Sequence, residues 1–192
     1  GRPSIGFDAG RIGVGIHKDS RMFQAVEFSR MKKYLDTCEE KPLVVVASDT
    51  WKRYEQIGGK FASGYAAASV YTTIAQELGA NEAVYFSGVT EGRTSQFREG
   101  EWCDGSGEEF LFRVGNTFII LPPDNGRLGG TSLAPFQEFT ARELGYDTEI
   151  AVVTLDDVRK RNIDAAFLIG NAVELSPVGK IWHYHGKPDR ST

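Results

Sequence analysis

The sequence predicts an α/β or α+β domain, because segments of strand pattern alternate along it with segments of helix pattern. Three segments carry that reading. PLVVVASD (Pro42 to Asp49) is a short, valine-rich, almost continuously apolar run, as a buried strand is. SGYAAASVYTTIAQELG (Ser63 to Gly79) is rich in alanine, and Ala67, Val70, Tyr71, Ile74 and Leu78 recur at intervals of three and four, as on one face of a helix. DAAFLIG (Asp164 to Gly170) is again a compact apolar strand. With 192 residues, 41% of them hydrophobic and 25% charged, the chain suffices for one domain with a sizeable core.

The elements follow in order. GRPSIGFDAGRIGVG enters directly into strand-like and turn-like residues; it lacks an initiator methionine and reads as a piece of a longer or processed polypeptide. The glycine order in GRIGVG (Gly10 to Gly15) does not match the dinucleotide fingerprint. After the strand at Pro42 to Asp49, the helix of Ser63 to Gly79 stops at Gly79, which supplies a left-handed end. EAVYFSG is a strand, and VTEGRTSQFREGEW a loop or hairpin excursion. EFLFRVGNTFIIL reads as two strands meeting at Val114-Gly115-Asn116, and PPDNGRLGG as a loop. TSLAPFQEFTARELG is a helix with Thr131 or Ser132 as N-cap, Pro135 in its first turns and Gly145 at its end. EIAVVTL is a strand, TLDD (Thr154 to Asp157) has capping-box spacing, and WHYHGKPDRST fades into polar residues without a closing element.

Charge and composition narrow the function classes. The formal charge of −4 offers no electrostatic footprint for nucleic acid or an anionic membrane. No apolar run approaches the roughly 18 residues needed to cross a bilayer, and the opening residues do not resemble a signal peptide. Cys38 and Cys103 are too few for a disulfide framework and lack metal spacing. Free thiols and a cytoplasmic location are therefore expected.

Several stretches hold chemistry. In WCDGSGEEF, the carboxylates of Asp104, Glu108 and Glu109 stand beside glycines at the mouth of an apolar strand: a solvated turn, or a carboxylate facing a cation. GGTS before Ser132 suits an anion at a helix N-terminus, or is a capped helix after a flexible loop; LIGNAVELSPVG, with the amides of Asn171 and Ala172, is a second such candidate. Lys60, among glycines and small residues, is a solvated lysine or a Schiff-base nucleophile. His183 and His185 share one strand face and suit a metal, but no third ligand is evident in the sequence and a tail is the simpler reading; no metal is expected. His17 is uninformative.

The order of these motifs resembles the large domain of fold-type IV pyridoxal-phosphate enzymes, class IV aminotransferases, and most closely the branched-chain aminotransferase group. The resemblance covers about residues 1–181, leaving 182–192 as a polar tail. VASDTWKR, GKFASGYAAAS with a tyrosine five residues after its lysine, DGSGEEFLF, LPP…LGGTS, and TLDDV followed by FLIGNAVELSPVGKI all stand in family order. It implies a cofactor domain of the D-amino acid/branched-chain aminotransferase type, with two mixed sheets and flanking helices. It implies pyridoxal 5'-phosphate with Lys60 as Schiff-base lysine and proton shuttle. Tyr65 would bond the phenolic oxygen, Asp104 the pyridine nitrogen, and Thr131, Ser132, Asn171 and Ala172 the phosphate; Glu108 and Glu109 would flank the strand entry as lesser players.

The implied reaction moves an amino group between a small apolar, branched-chain-like amino acid and a 2-oxo acid, in a homodimer. The alternatives are a fold-type IV lyase of the aminodeoxychorismate kind, a non-catalytic relative serving as an interaction or scaffold protein, or another reaction on the old fold without the cofactor. The departures from the family are specific. Asp104 stands for glutamate, Ser132 and Asn171 for threonines, Leu133 for a frequent arginine and Glu109 for a frequent asparagine. The small N-terminal domain, which can reside on a separate chain, and the C-terminal helix are missing from the matched pattern.

Overall fold

The structure, a computed structural model, describes residues 2–8, 21–27, 41–53, 62–171 and 173–185. The chain divides into two compact units, Gly1–Tyr34 and Leu35–Thr192. The first contains one antiparallel pair, β1 (Arg2–Asp8) and β2 (Arg21–Glu27), in register from Arg2 opposite Glu27 to Asp8 opposite Arg21.

The second unit is built on one mixed sheet. Its strands are β3 (Leu43–Arg53), β4 (Glu82–Ser87), β5 (Trp102–Asp104), β6 (Glu109–Val114), β7 (Thr117–Ile120), β8 (Asp147–Ile150), β9 (Ala165–Gly170) and β10 (Glu174–His183). They lie in the order β5-β4-β3-β10-β9-β6-β7-β8, and β5 also pairs with β6 through Asp104 and Glu109. The six strands from β5 round to β6 therefore close on themselves, with β7 and β8 as an extension. Closure gathers one apolar core from every strand it joins: Val45 and Ala47, Val84 and Phe86, Trp102, Phe110 and Phe112, Leu168, and the partly buried Val178 and Ile181 of β10. Trp102 sits at its centre, fully buried and edge-on to Phe86, Phe110 and Phe112 at 5.3–5.5 Å.

Helices cover the other face of the sheet. α1 (Ala62–Glu77) connects the parallel neighbours β3 and β4, and its small Ala68 and Ala75 let it lie close to Val46, Ala83 and Tyr85. Trp51 stacks on Tyr71 of α1 at 5.2 Å. Gly79 ends the helical run with φ +84°, the left-handed stop its position predicts. The segment 133–143 covers β6, β7 and β9 through Leu133, Phe136 and Ala141.

That segment departs from the expected single helix. It comprises α2 (Leu133–Pro135), a turn of π-helix (Phe136–Thr140) and α3 (Ala141–Glu143). Ser132 makes no side-chain cap, because its hydroxyl is bonded elsewhere. The capping box of α4 (Leu155–Arg159) is present: Thr154 Oγ1 accepts from the Asp157 amide, and Asp157 accepts from the Thr154 amide. EIAVVTL is extended but changes partners. Glu149 and Ile150 pair with β7, whereas the Val153 carbonyl accepts from Trp102 of β5. The chain end also differs from its reading: β10 runs to His183, two residues into the expected polar tail. Among the described residues, no helix is long and apolar enough to cross a membrane.

Candidate active site

The hairpin from β5 to β6 is tight because Gly105 and Gly107 flank Ser106. The Gly105 amide donates to the Glu108 carbonyl at 2.9 Å, and a Cβ on Gly105 would stand 3.2 Å from that same oxygen. Arg53, at the end of β3, clamps the turn from outside. Its Nη2 donates to the carbonyls of Gly105 (2.8 Å) and Ser106 (3.1 Å), and its guanidinium lies over the Tyr85 ring.

Asp104 closes β5 and is 3% exposed. Its Oδ2 accepts one weak bond from the Leu128 amide at 3.3 Å; its Oδ1 is buried without a hydrogen-bond partner. Burial raises its pKa to about 7, and the neighbouring Glu109 pushes the same way, while Arg53, the Leu128 amide and Arg127 oppose. A buried carboxyl with an idle oxygen is an unfavourable element unless something arrives to meet it.

The two glutamates beside it are engaged. Burial, and then the charge of Glu82, push the Glu108 carboxyl up to about 8, and a side-chain hydrogen bond with Glu82 acts the same way. Glu82 in turn accepts from the Ser106 hydroxyl at 2.8 Å and from the Ala83 amide at 2.6 Å. Glu109 forms an ion pair with Arg127, whose Nε is directed at the carbonyls of Leu121 and Pro122. Glu109 also packs against Gly130, where an added Cβ would force its carboxylate to move, so the 121–132 loop lies directly on the hairpin.

That loop leads to a second cluster. Ser132 Oγ donates to Asn171 Oδ1 at 2.6 Å, and Asn171 Nδ2 donates to Thr131 Oγ1 at 3.0 Å. Residues 39 and 40 positions apart thus form one polar group, at the end of β9. Gly170 just before it faces Glu108, so the ends of β5, β6 and β9 share one neighbourhood with the loop.

The structure brings Thr131, Ser132 and Asn171 together. It sets Asp104 in the buried wall, linked to them through the Leu128–Gly130 backbone. Tyr65 lies in the first turns of α1 and is 41% exposed. Lys60 and Ala172 lie outside the described residues. Sequence reasoning missed Arg53, Glu82 and Arg127. Their one signal is the unusual density of acids in DGSGEE, which requires buried cations or shared protons nearby.

The class of fold follows from comparison. No protein-family model matches the chain. Over 96% of its length it superposes on 59% of the branched-chain aminotransferase of Thermoproteus uzoniensis with norvaline, with TM-score 0.77 and 20% identity. It superposes over 73% of its length on 43% of the T.th. branched-chain amino acid aminotransferase complexed with N-(5'-phosphopyridoxyl)-L-glutamate, with TM-score 0.60 and 24% identity. The fold is that of the fold-type IV pyridoxal-phosphate enzymes.

A curated sequence relative carries a matching description. The chain is 27% identical over 188 residues to a probable branched-chain-amino-acid aminotransferase of Staphylococcus aureus (strain N315), a match covering 94% of this chain and 49% of the relative. Its neighbours are branched-chain aminotransferases, as the motif order implies. The chain spans about half the length of the curated relatives it matches.

Proposed function

We propose that this chain is the cofactor-binding large domain of a pyridoxal-phosphate-dependent aminotransferase acting between a small apolar, branched-chain-like amino acid and a 2-oxo acid. Asp104 carries the reading. A buried carboxylate oxygen without a partner, on a group poised near neutrality, fits a protonated ring nitrogen, which is donor and cation at once. The neutral Thr131–Ser132–Asn171 cluster fits phosphate oxygens, and exchanging its internal bonds for bonds to phosphate would leave no donor idle. The names of the neighbours favour transamination over the lyase alternative.

Bound pyridoxal phosphate supplies an electron sink for the breaking Cα–H bond of an amino acid. In this reading Asp104 holds the proton on the ring nitrogen and Tyr65 bonds the phenolic oxygen. Thr131, Ser132 and Asn171, with the amide of Ala172, take the phosphate. Lys60 tethers the cofactor, and its amine, once released, moves the proton at the substrate's Cα. Arg53 and Arg127 act one layer out: Arg53 fixes the turn after Asp104, and Arg127 neutralises Glu109 beside it. The assembly we infer is a cytoplasmic homodimer, measurable by light scattering.

The test is an absorbance spectrum of the purified chain with pyridoxal phosphate, repeated with Lys60→Ala. A near-visible band in the first and none in the second is expected. Its absence from both proteins overturns the cofactor reading. Amino transfer from a branched-chain donor by the loaded protein tests the substrate class.

A further inference from the structure

We propose that Asp49, His183 and His185 form a binding site for a divalent transition-metal ion of zinc-like ligand preference. The site is distinct from the cofactor site and does not rest on the aminotransferase reading.

Strand pairing builds it. β10 lies parallel to β3, with Trp182 beside Val46 and His183 beside Ala47. Side chains alternate along a strand, and parallel neighbours in register share a face. His183 and His185 therefore stand on the face of Ala47 and Asp49. Tyr184, between the histidines, faces the other way. Its amide donates to the Ala47 carbonyl at 2.8 Å, and its ring lies 6.1 Å from that of Trp51, which Tyr71 backs. The intervening residue is thus anchored at backbone and ring, and the two imidazoles are presented side by side.

Their contacts are those of ligands held together by protons. His183 Nε2 lies 3.1 Å from Asp49 Oδ1, and His183 Nδ1 lies 2.6 Å from His185 Nε2. Arg159 Nη2 also reaches His183 Nδ1, at 3.1 Å. An arginine only donates, so Nδ1 accepts and Nε2 carries the hydrogen given to Asp49. His185 then donates to a lone pair that Arg159 already occupies. A cation held by Nδ1 and His185 Nε2 would replace these two competing hydrogens, while Arg159 turns to Asp156, already 3.9 Å away; Asp49, which meets the opposite ring nitrogen, joins the same ion once the His183 ring and the carboxylate reorient.

Distances and donor types agree with such an ion. One ligand atom from each of the three residues lies within 4.8 Å of the others. A tetrahedral ion with bonds of ~2.0–2.1 Å holds its ligands roughly 3.3 Å apart, a spacing within reach at this partly exposed strand end once the His183 ring turns to present one nitrogen to both partners. Two imidazoles and one carboxylate suit Zn2+, Co2+, Ni2+ or Cu2+; Mg2+ and Ca2+ prefer all-oxygen shells. With three protein ligands, the fourth position is left for water. The ion would clip the end of β10 to β3.

The test is titration of the metal-free chain with Co2+, read by its visible d–d bands, and with Zn2+ by calorimetry and melting temperature. One equivalent bound, and a melting temperature raised by Zn2+, are expected. Asp49→Asn and His185→Gln should each weaken binding at least tenfold and abolish the rise, whereas Glu149→Gln, exposed on β8 at the far edge of the sheet, should bind as wild type. Affinity should fall in acid, where protons compete for the imidazole nitrogens. No bound ion, or an affinity within twofold of wild type in the His183→Gln/His185→Gln double variant, overturns the proposal. If that double variant is unfolded, His185→Gln alone decides, since His185 is exposed.

Discussion

Asp104, at the end of β5, and Asp124, in the loop after β7, place the same side chain in opposite surroundings. Asp124 Oδ2 accepts from the amide and hydroxyl of Thr94, both at 2.7 Å, and from the Ser95 amide at 2.9 Å; its Oδ1 takes the Ser95 hydroxyl at 3.0 Å. Burial alone would raise its pKa, but these bonds overcome it and hold the group at about 2. Asp104 receives one amide at 3.3 Å, keeps an idle buried oxygen and titrates at about 7. One carboxylate is fully used in joining two loops, and the other is left open. This contrast is what the proposed cofactor role of Asp104 rests on.

The largest effect should come from the saturated region. Arg93 and Glu101 form a two-pronged buried pair, at 2.9 and 2.6 Å, next to Asp124. Glu101→Ala strands the guanidinium and should lower stability by about 3–5 kcal/mol in urea denaturation. Asp124→Ala should cost about 2 kcal/mol near neutrality, as hydrogen bonds to a charged group do. Because its folded pKa is lowered, from 3.8 to about 2, the stabilisation is present above the unfolded value and lost as pH falls through the folded one. The deficit of the variant should therefore shrink over that acid range.

Asp104→Asn should behave differently, with stability within ~1 kcal/mol of wild type at neutral pH or above it, because no good bond is lost. Here the folded pKa is raised, from 3.8 to about 7. The folded state binds more protons across that window, so the contribution is greatest in acid and fades as pH rises towards 7. Thermal melts should show a shallower fall in the variant, with Glu108 retaining part of the slope. The smallest stability change belongs to Ser132→Ala. Its bond to Asn171 is exposed, so less than ~0.5 kcal/mol should be lost, while pyridoxal-phosphate affinity, read by fluorescence titration, should drop.

The sequence is legible where structure is local. The Gly115 turn joining β6 to β7, the Gly79 stop and the Thr154 capping box each depend on residues a few positions apart. Ser132 shows where such rules fail: placed before Leu133 it has the signature of a cap, but Asn171, 39 residues on, takes its hydroxyl. β10 is not evident from local pattern because Pro177 and Gly179 interrupt its strand signal, and its second half pairs with β3, far earlier in the chain, while only its first half pairs with the neighbouring β9. The same distance hides Arg53, 52 residues before the turn it clamps, and Asp49, 134 residues before His183. Asp104 stands out by motif resemblance and by charge density, not by periodicity. Its open oxygen belongs to three dimensions alone.

The most direct test of that oxygen's purpose is nitrogen NMR of pyridoxal phosphate labelled at its ring nitrogen, bound to wild type and to Asp104→Asn. The account predicts a protonated-ring signal in the wild type at neutral pH and a shift towards the unprotonated position in the variant. The same signal in both proteins would contradict it, leaving Asp104 a buried turn residue whose idle oxygen serves no ligand.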